Sequence, residues 1–356
     1  MLVRKNQKAL TTTEKTAFVN AVLGLKRQAS QMHPGDATRS RYDDFVEVHL
    51  NAMTAMMTPG KTTWGHQASP FTAWHRVLLF QFEQELRKID GSVTLPYWDW
   101  TTDQAKTSAP WTNDFLGGDG RAGDGKVLTG PFRFDAGNWT IRVKDGPTDP
   151  GFLTRQMGRR ADARRLPSKQ AQKTCLATTP YDVAPWDDSK RSQSNRAQWQ
   201  GFRIQLEIPL HNLVHRWVGG AMLAMASPND PVFWLHHCNL DRLWSVWQRQ
   251  NPTQAPYLPT SGGPTGFNLN DPLVFHEPGA PAPWAGSFKP AEVIDSHALG
   301  VAYDIDPAPA PPVAVVAVPT QPLPLFVLPA EIPALARSGG RGERGRTARG
   351  GTRPPR

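Results

Sequence analysis

The 356-residue sequence predicts a mainly α-helical protein with long loops and a few short strands, and three observations carry that expectation. Apolar residues recur at intervals of three and four in several separate segments, the period of a helix with one buried face. A stretch from about residue 100 to 200, rich in Gly, Asp, Pro and Thr, has no regular apolar period, so loops and short strands are expected there. From residue 307 the composition turns abruptly to proline and then to arginine and glycine.

Thr11 and Glu14 have the spacing of a capping box and open a helix that runs to about Arg27. Tyr42 to His49 reads as helix, and His66 falls in a Gly-containing loop. Ser69 and Pro70 then supply the cap and first position of a helix whose Phe71, Trp74, Leu78, Leu79, Phe82 and Leu86 form one stripe, with His75 on or beside it. His211 and His215 stand four apart, which places both imidazoles on one helix face a turn apart. Gly219 and Gly220 stop that helix. Asp230 as cap and Pro231 as first residue start another, with Phe233, His237, Leu240, Trp244 and Trp247 at helical spacing. His236 and His237 are adjacent near its start.

Six histidines thus form two groups of three: His49, His66 and His75, then His211, His215 and one of His236 or His237. A lone histidine at a helix edge is ordinarily a packed structural residue, but six in this order, flanked by tryptophan or phenylalanine, favour metal. Imidazole suits copper, zinc, iron and nickel, and a site without carboxylate or thiolate adds no charge, which favours copper over magnesium or calcium. Three ligands leave a position open on each metal for dioxygen or substrate. Spacing alone does not choose between His236 and His237.

The runs His66 to Glu83 (HQASPFTAWHRVLLFQFE) and Asp230 to Asp241 (DPVFWLHHCNLD) resemble the two signatures of the tyrosinase family of type-3 copper proteins. Val3 to Asn6, Leu95 to Trp100 and Tyr181 to Trp186 resemble bacterial tyrosinases, so the similarity spans residue 3 to about 305. It implies a four-helix bundle holding a dinuclear copper centre, two copper ions per chain. His49, His66 and His75 match the ligands of the first copper, and His211 and His215 match two ligands of the second. In the family signature the ligand stands four before the aspartate, here Asp241, which makes His237 the third and His236 its packed neighbour. Asp241 would orient a ligand from behind, unless it is a surface or arginine-paired residue. Monophenol-hydroxylating members often carry a glutamate shortly before the first ligand of the second site and an asparagine directly after it, which hold a proton-accepting water. Glu207 and Asn212 match those positions, although only Ile208, Pro209 and Leu210 separate Glu207 from His211, fewer than in the bacterial pattern. An ion-paired surface position is the alternative for Glu207. Trp64 and Gly65 precede His66 where fungal and plant relatives place a cysteine that crosslinks to the matching histidine through a thioether, so the resemblance is to the bacterial type; Cys175 and Cys238 are the only cysteines, too few for a disulfide framework.

The activity implied is a copper monooxygenase and oxidase that converts monophenols and o-diphenols to o-quinones with dioxygen, the chemistry of melanin-type pigments. Two alternatives share the metal core: a catechol or o-aminophenol oxidase without hydroxylation, and a haemocyanin-like oxygen carrier. Residues 1–306 are read as the catalytic domain, and residues 307–356 as a solvated, disordered tail. The tail holds seven Arg and two Glu, so five of the nine net positive charges lie there and the domain itself is near +4. Its Arg-Gly run lacks interleaved aromatics, which argues against a nucleic-acid arm. No apolar run of about twenty residues is present for a membrane span, and Met1 to Gln7 is basic with no apolar centre behind it. The expectation is a chain without signal peptide, cytoplasmic or exported with a copper-delivery partner.

Overall fold

Short polar side chains set the helix starts in the first third of the chain. In the computed structural model, which describes residues 1–306 except 59, 60, 62, 193, 196 and 197, α1 (Thr12–Leu25) opens with the expected capping box of Thr11 and Glu14. A second box, Ser40 with Asp43, opens α2 (Arg41–Met57). α3 (Phe71–Ile89) begins one residue later than the sequence implied, with Pro70 at the N-cap. Ser69 is not the cap because its hydroxyl donates instead to Asp182 Oδ2 at 2.8 Å. The tail, residues 307–356, lies outside the described residues.

Between 100 and 200 the expected strands do not form; among the described residues only isolated bridges such as Gly120 with Val127 occur. A helix that the sequence did not signal, α4 (Lys169–Ala177), lies here instead. Only Cys175 and Leu176 of it are buried, too few positions to make a periodic stripe. Among the described residues the strands are β1 (Leu2–Arg4) and β2 (Val301–Tyr303), paired in parallel with Leu2 opposite Val301.

The second histidine helix has three parts: α5 (Phe202–Gln205), a π-helical stretch (Leu206–His211) and α6 (Asn212–Val218). Pro209 is the physical cause of the wide turn, since it lacks an N–H and its ring would strike the Gln205 carbonyl in a regular α-helix. The Asn212 N–H accordingly donates to the Glu207 carbonyl, five residues back. Gly219, at φ 68°, ends the helix as expected. α7 (Val232–Gln250) again has proline, Pro231, at the N-cap. Asp230 still serves the first turn, accepting from the Val232 N–H at 3.1 Å, while its carboxylate pairs with Arg155. A short α8 (Pro290–Val293) packs on α3.

α3 packs against both α7 and α1. At the α3–α7 seam Phe82 and Trp234 stack with ring centroids 3.6 Å apart, and truncating either ring to alanine would cost about 3–5 kcal/mol. Seven tryptophans, Trp234 among them, are fully buried, so the histidine helices stand in a close-packed aromatic frame. No described helix is long and apolar enough to cross a membrane.

Candidate metal centre

His49 from α2, His66 from its loop and His75 from α3 meet with ring centroids 4.8 Å (His49 to His66) and 4.7 Å (His66 to His75) apart. Backbone carbonyls fix two of the rings. His49 Nδ1 lies 2.7 Å from the Met225 carbonyl and His75 Nδ1 2.8 Å from that of Phe71. A carbonyl only accepts, so each Nδ1 carries the proton and each Nε2 keeps its lone pair. Those two Nε2 atoms are buried and have no hydrogen-bond partner. His66 is aimed by a constrained loop: Gln67 has φ 53°, and a Cβ on Gly65 would lie 2.5 Å from the Trp74 ring. A cysteine directly before His66 would therefore not fit.

The second group is anchored the same way. His215 Nδ1 donates to the Met222 carbonyl at 2.7 Å, and His211 Nδ1 to Asn212 Oδ1 at 2.8 Å. His211 Nε2 is buried and unpartnered, and His215 Nε2 faces His237 Nε2 at 3.4 Å. His236 joins this cluster; its ring stacks on His211, and both of its nitrogens are buried without partners. In each cluster the candidate ligand atoms lie within 4.8 Å of one another. The clusters adjoin: His75 and His237 stack at 4.4 Å, and Phe233 stacks on His237 while its edge meets His49.

Burial pushes these imidazoles down, His49 to about 3 and His215 to about 4, and His66, His75, His211, His236 and His237 well below the usual value. All are neutral at pH 7. Buried neutral imidazoles, four of them (His49, His75, His211 and His215) with Nδ1–H held by a carbonyl oxygen so that Nε2 keeps its lone pair, fit a pair of copper ions.

Glu207 lies within the π-helical stretch one turn before His211, and it lines the same cavity of about 200 Å³ as His49, His66, His211, Asn212 and His215. The shortened spacing that separates this sequence from the bacterial pattern therefore still delivers the carboxylate to the site. It is 2% exposed, so the surface position is excluded, but the ion pair is real: Arg203 donates to Oε2 at 2.9 Å and the Gln67 N–H to Oε1 at 2.6 Å. Burial is the main cause that raises its carboxyl to about 7, opposed by the Arg203 charge.

A family model described as the common central domain of tyrosinase matches residues 39–250. The chain belongs to the tyrosinase family. It is 42% identical to the tyrosinase of Streptomyces antibioticus over 307 residues, 86% of this chain and 100% of that one. It is 36% identical to grixazone synthase of Streptomyces griseus subsp. griseus, over 85% of this chain and 99% of that one. Among solved structures, a variant of the polyphenol oxidase from Thermothelomyces thermophila gives a TM-score of 0.61 at 25% identity, covering 85% of this chain and 88% of that one. Tyrosinase-type copper oxidase activity on phenols with dioxygen follows, on a mainly helical tyrosinase fold.

In this chain the signature aspartate, Asp241, has no hydrogen bond to a histidine among the described residues. Asp241 Oδ1 accepts from Arg76 Nε at 2.5 Å, and Oδ2 accepts from Arg4 Nη1 at 3.2 Å and from the Tyr303 hydroxyl. Arg76 of α3 and Arg4 and Tyr303 of the β1–β2 pair take up the carboxylate, so the arginine-paired account holds, in a buried rather than a surface setting. Cys175 and Cys238 are both buried and free. Sequence reasoning missed Arg216, Met53, Met56 and Met222, which also line the cavity. The signal was available for three of them. Arg216 directly follows His215, and Met53 and Met56 stand four and seven after His49, on its face of the helix.

Proposed function

We propose that the chain hydroxylates monophenols and oxidises o-diphenols to o-quinones at two coppers, one held by His49, His66 and His75 and the other by His211, His215 and His237. Bound there, the copper pair supplies dioxygen activation and the two-electron oxidation. The protein holds three of the ligand rings, those of His49, His75 and His215, by backbone carbonyls, keeps them neutral by burial, and packs Phe71 against His211 and Phe233 against His215.

A monophenol must lose its proton to bind as phenolate, and Glu207 is the group that takes it. With its carboxyl near 7 it can hold a proton and give it up at neutral pH, which is where a general base works best. Because His211 Nδ1–H occupies Asn212 Oδ1, the Asn212 amide N–H₂ is left to hold a water that relays the proton to Glu207. The observation that carries this reading is the presence of Glu207 and Asn212 on one small cavity with four of the histidines. Copper-loaded protein assayed on a monophenol and on the corresponding diphenol tests it: both should turn over, and the monophenol rate should climb with pH through about 7 as Glu207 ionises.

One observation favours a second reading. Arg203 and the Gln67 N–H each bind Glu207, and a carboxylate spent on tying α5 to the His66 loop would leave a catechol or o-aminophenol oxidase without hydroxylation. Turnover of the diphenol alone would establish that reading, and turnover of neither would point to an oxygen carrier.

A further inference from the structure

Three methionines line the copper cavity. Met53 and Met56 follow His49 on α2 at intervals of four and three, which is one face of a helix, and both line the cavity. Met222 lines it from the turn Gly220–Leu223. Met57, 67% exposed, ends α2 at the solvent. With Met225, five of the eight methionines in the chain fall on these two segments.

Core packing does not account for Met53 and Met56. Both are half-buried, and neither belongs to the hydrophobic core or packs against it. An apolar wall for a phenol ring does not require sulfur, and Leu223 and Ala224 already contribute one. What sulfur adds is softness. A thioether is a neutral ligand that selects cuprous copper over cupric copper and zinc, whereas imidazole is borderline and retains either oxidation state. Glu207 is the only carboxylate among the lining residues, so the cavity wall offers little to a hard cation. The methionine segments also touch the histidines through their backbone, since the Met222 and Met225 carbonyls hold His215 and His49.

We propose that Met53, Met56 and Met222 form a transient cuprous-ion site in the cavity, which hands the ion to His49 and the other histidines, with half-buried Met53 and Met56 taking it up from solution or from a donor and core-buried Met222 beside His215 on the inner side. Successive steps from Met56 to Met53 to His49 rise about 4–6 Å along α2, short enough for one thioether to release the ion as the next ligand takes it. The proposal rests on the reading that the six histidines hold copper, and its test separates the two.

Copper-stripped protein is supplied either with a coloured cuprous chelate or with a cupric salt, and uptake is followed in time. In the Met53→Leu/Met56→Leu/Met222→Leu variant, uptake from the cuprous chelate should be several-fold slower, uptake of cupric ion should keep its rate, and the final copper content should equal that of the unmodified protein. X-ray absorption with substoichiometric silver(I), a redox-inert stand-in for cuprous ion, should show sulfur neighbours in the unmodified protein and lose them in the variant. Equal cuprous rates, equal slowing of both ions, or silver without sulfur neighbours would overturn the proposal. If the triple variant fails to fold, Met56→Leu alone, which lies outside the core, carries the same comparison. Unmodified protein that binds silver through sulfur but retains no copper would overturn the histidine reading and leave the methionine site standing as a soft-metal site.

Discussion

Two buried clusters of arginine and carboxylate brace the histidine helices, and they differ in where their carboxylates face. In one, Arg203 binds Asp182, Asp188 and Glu207, and Arg191 binds Asp182 and Asp188. In the other, Arg4 and Arg76 share Asp241, and Arg4 also binds Glu83. Both are almost wholly buried. Asp241 is enclosed by Arg4, Arg76 and Tyr303, and its cluster staples β1 and β2 to α3 and α7. Glu207 receives one N–H on each oxygen, so each oxygen retains a lone pair, and the residue fronts the cavity. The same chemistry is structural where the carboxylate is enclosed and reactive where a face of it is left open.

The largest effect is expected at the histidines that both clusters brace. His237→Ala should remove one copper of two and abolish turnover, whereas His236→Ala should leave the copper content near two. Metal analysis of the two purified variants checks this; equal losses would show that the model of one ligand and one packed neighbour is wrong for the adjacent pair.

Next comes the enclosed cluster. Asp241→Asn leaves Arg4 and Arg76 short of a counter-charge in the interior, and breaking a buried pair in this way costs about 3–5 kcal/mol. Denaturant unfolding should register that loss while the ratio of monophenol to diphenol turnover stays fixed. A changed ratio would mean that Asp241 acts on the ligands after all.

Acid should act on the imidazoles. His49 and His215 stand at about 3 and about 4 in the fold against an ordinary 6.5, so as pH falls below 6.5 the unfolded chain takes up protons first. Their contribution to stability is complete above pH 6.5 and is lost as pH falls towards 4 and 3, and copper, which needs the neutral rings, leaves over the same range. Melting temperatures of copper-free protein that stay flat from pH 7 to 4 would contradict the burial of neutral imidazoles. The smallest effect is expected from the tail: a chain ending at Asp306 should keep its diphenol turnover, because residues 307–356 contain no histidine and their composition is not that of a packed core. A severalfold rise on truncation would instead make the tail a shield, with Phe326 the residue to replace.

Most of the site could be read before the fold was known, because the histidines sit on helices whose caps and apolar periods are local properties. His49, His75, His211 and His215 fall where 3.6-residue spacing put them, and the capping box at Thr11 is present as spelled. What could not be read depends on distant partners. Ser69 abandons its cap for Asp182, more than a hundred residues away, and Asp241 turns to Arg4 from the first strand. The reach of Glu207 was equally hidden, since a shortened spacing has no visible outcome until Pro209 is seen to widen the helix and keep the carboxylate on the face of His211. α4 escaped notice because two buried side chains make no pattern.

The difference between an open and an enclosed carboxylate is tested most directly by Glu207→Gln, assayed on a monophenol and on its diphenol at matched copper content, with Asn212→Ala alongside. Glutamine keeps an acceptor for Gln67 but cannot take a proton. Monophenol turnover should fall about 10²-fold or more, the usual worth of a general base, and diphenol turnover far less, since a catechol can deliver its own protons. Parallel losses on both substrates with copper unchanged would contradict the account and return Glu207 to the same bracing role as Asp241.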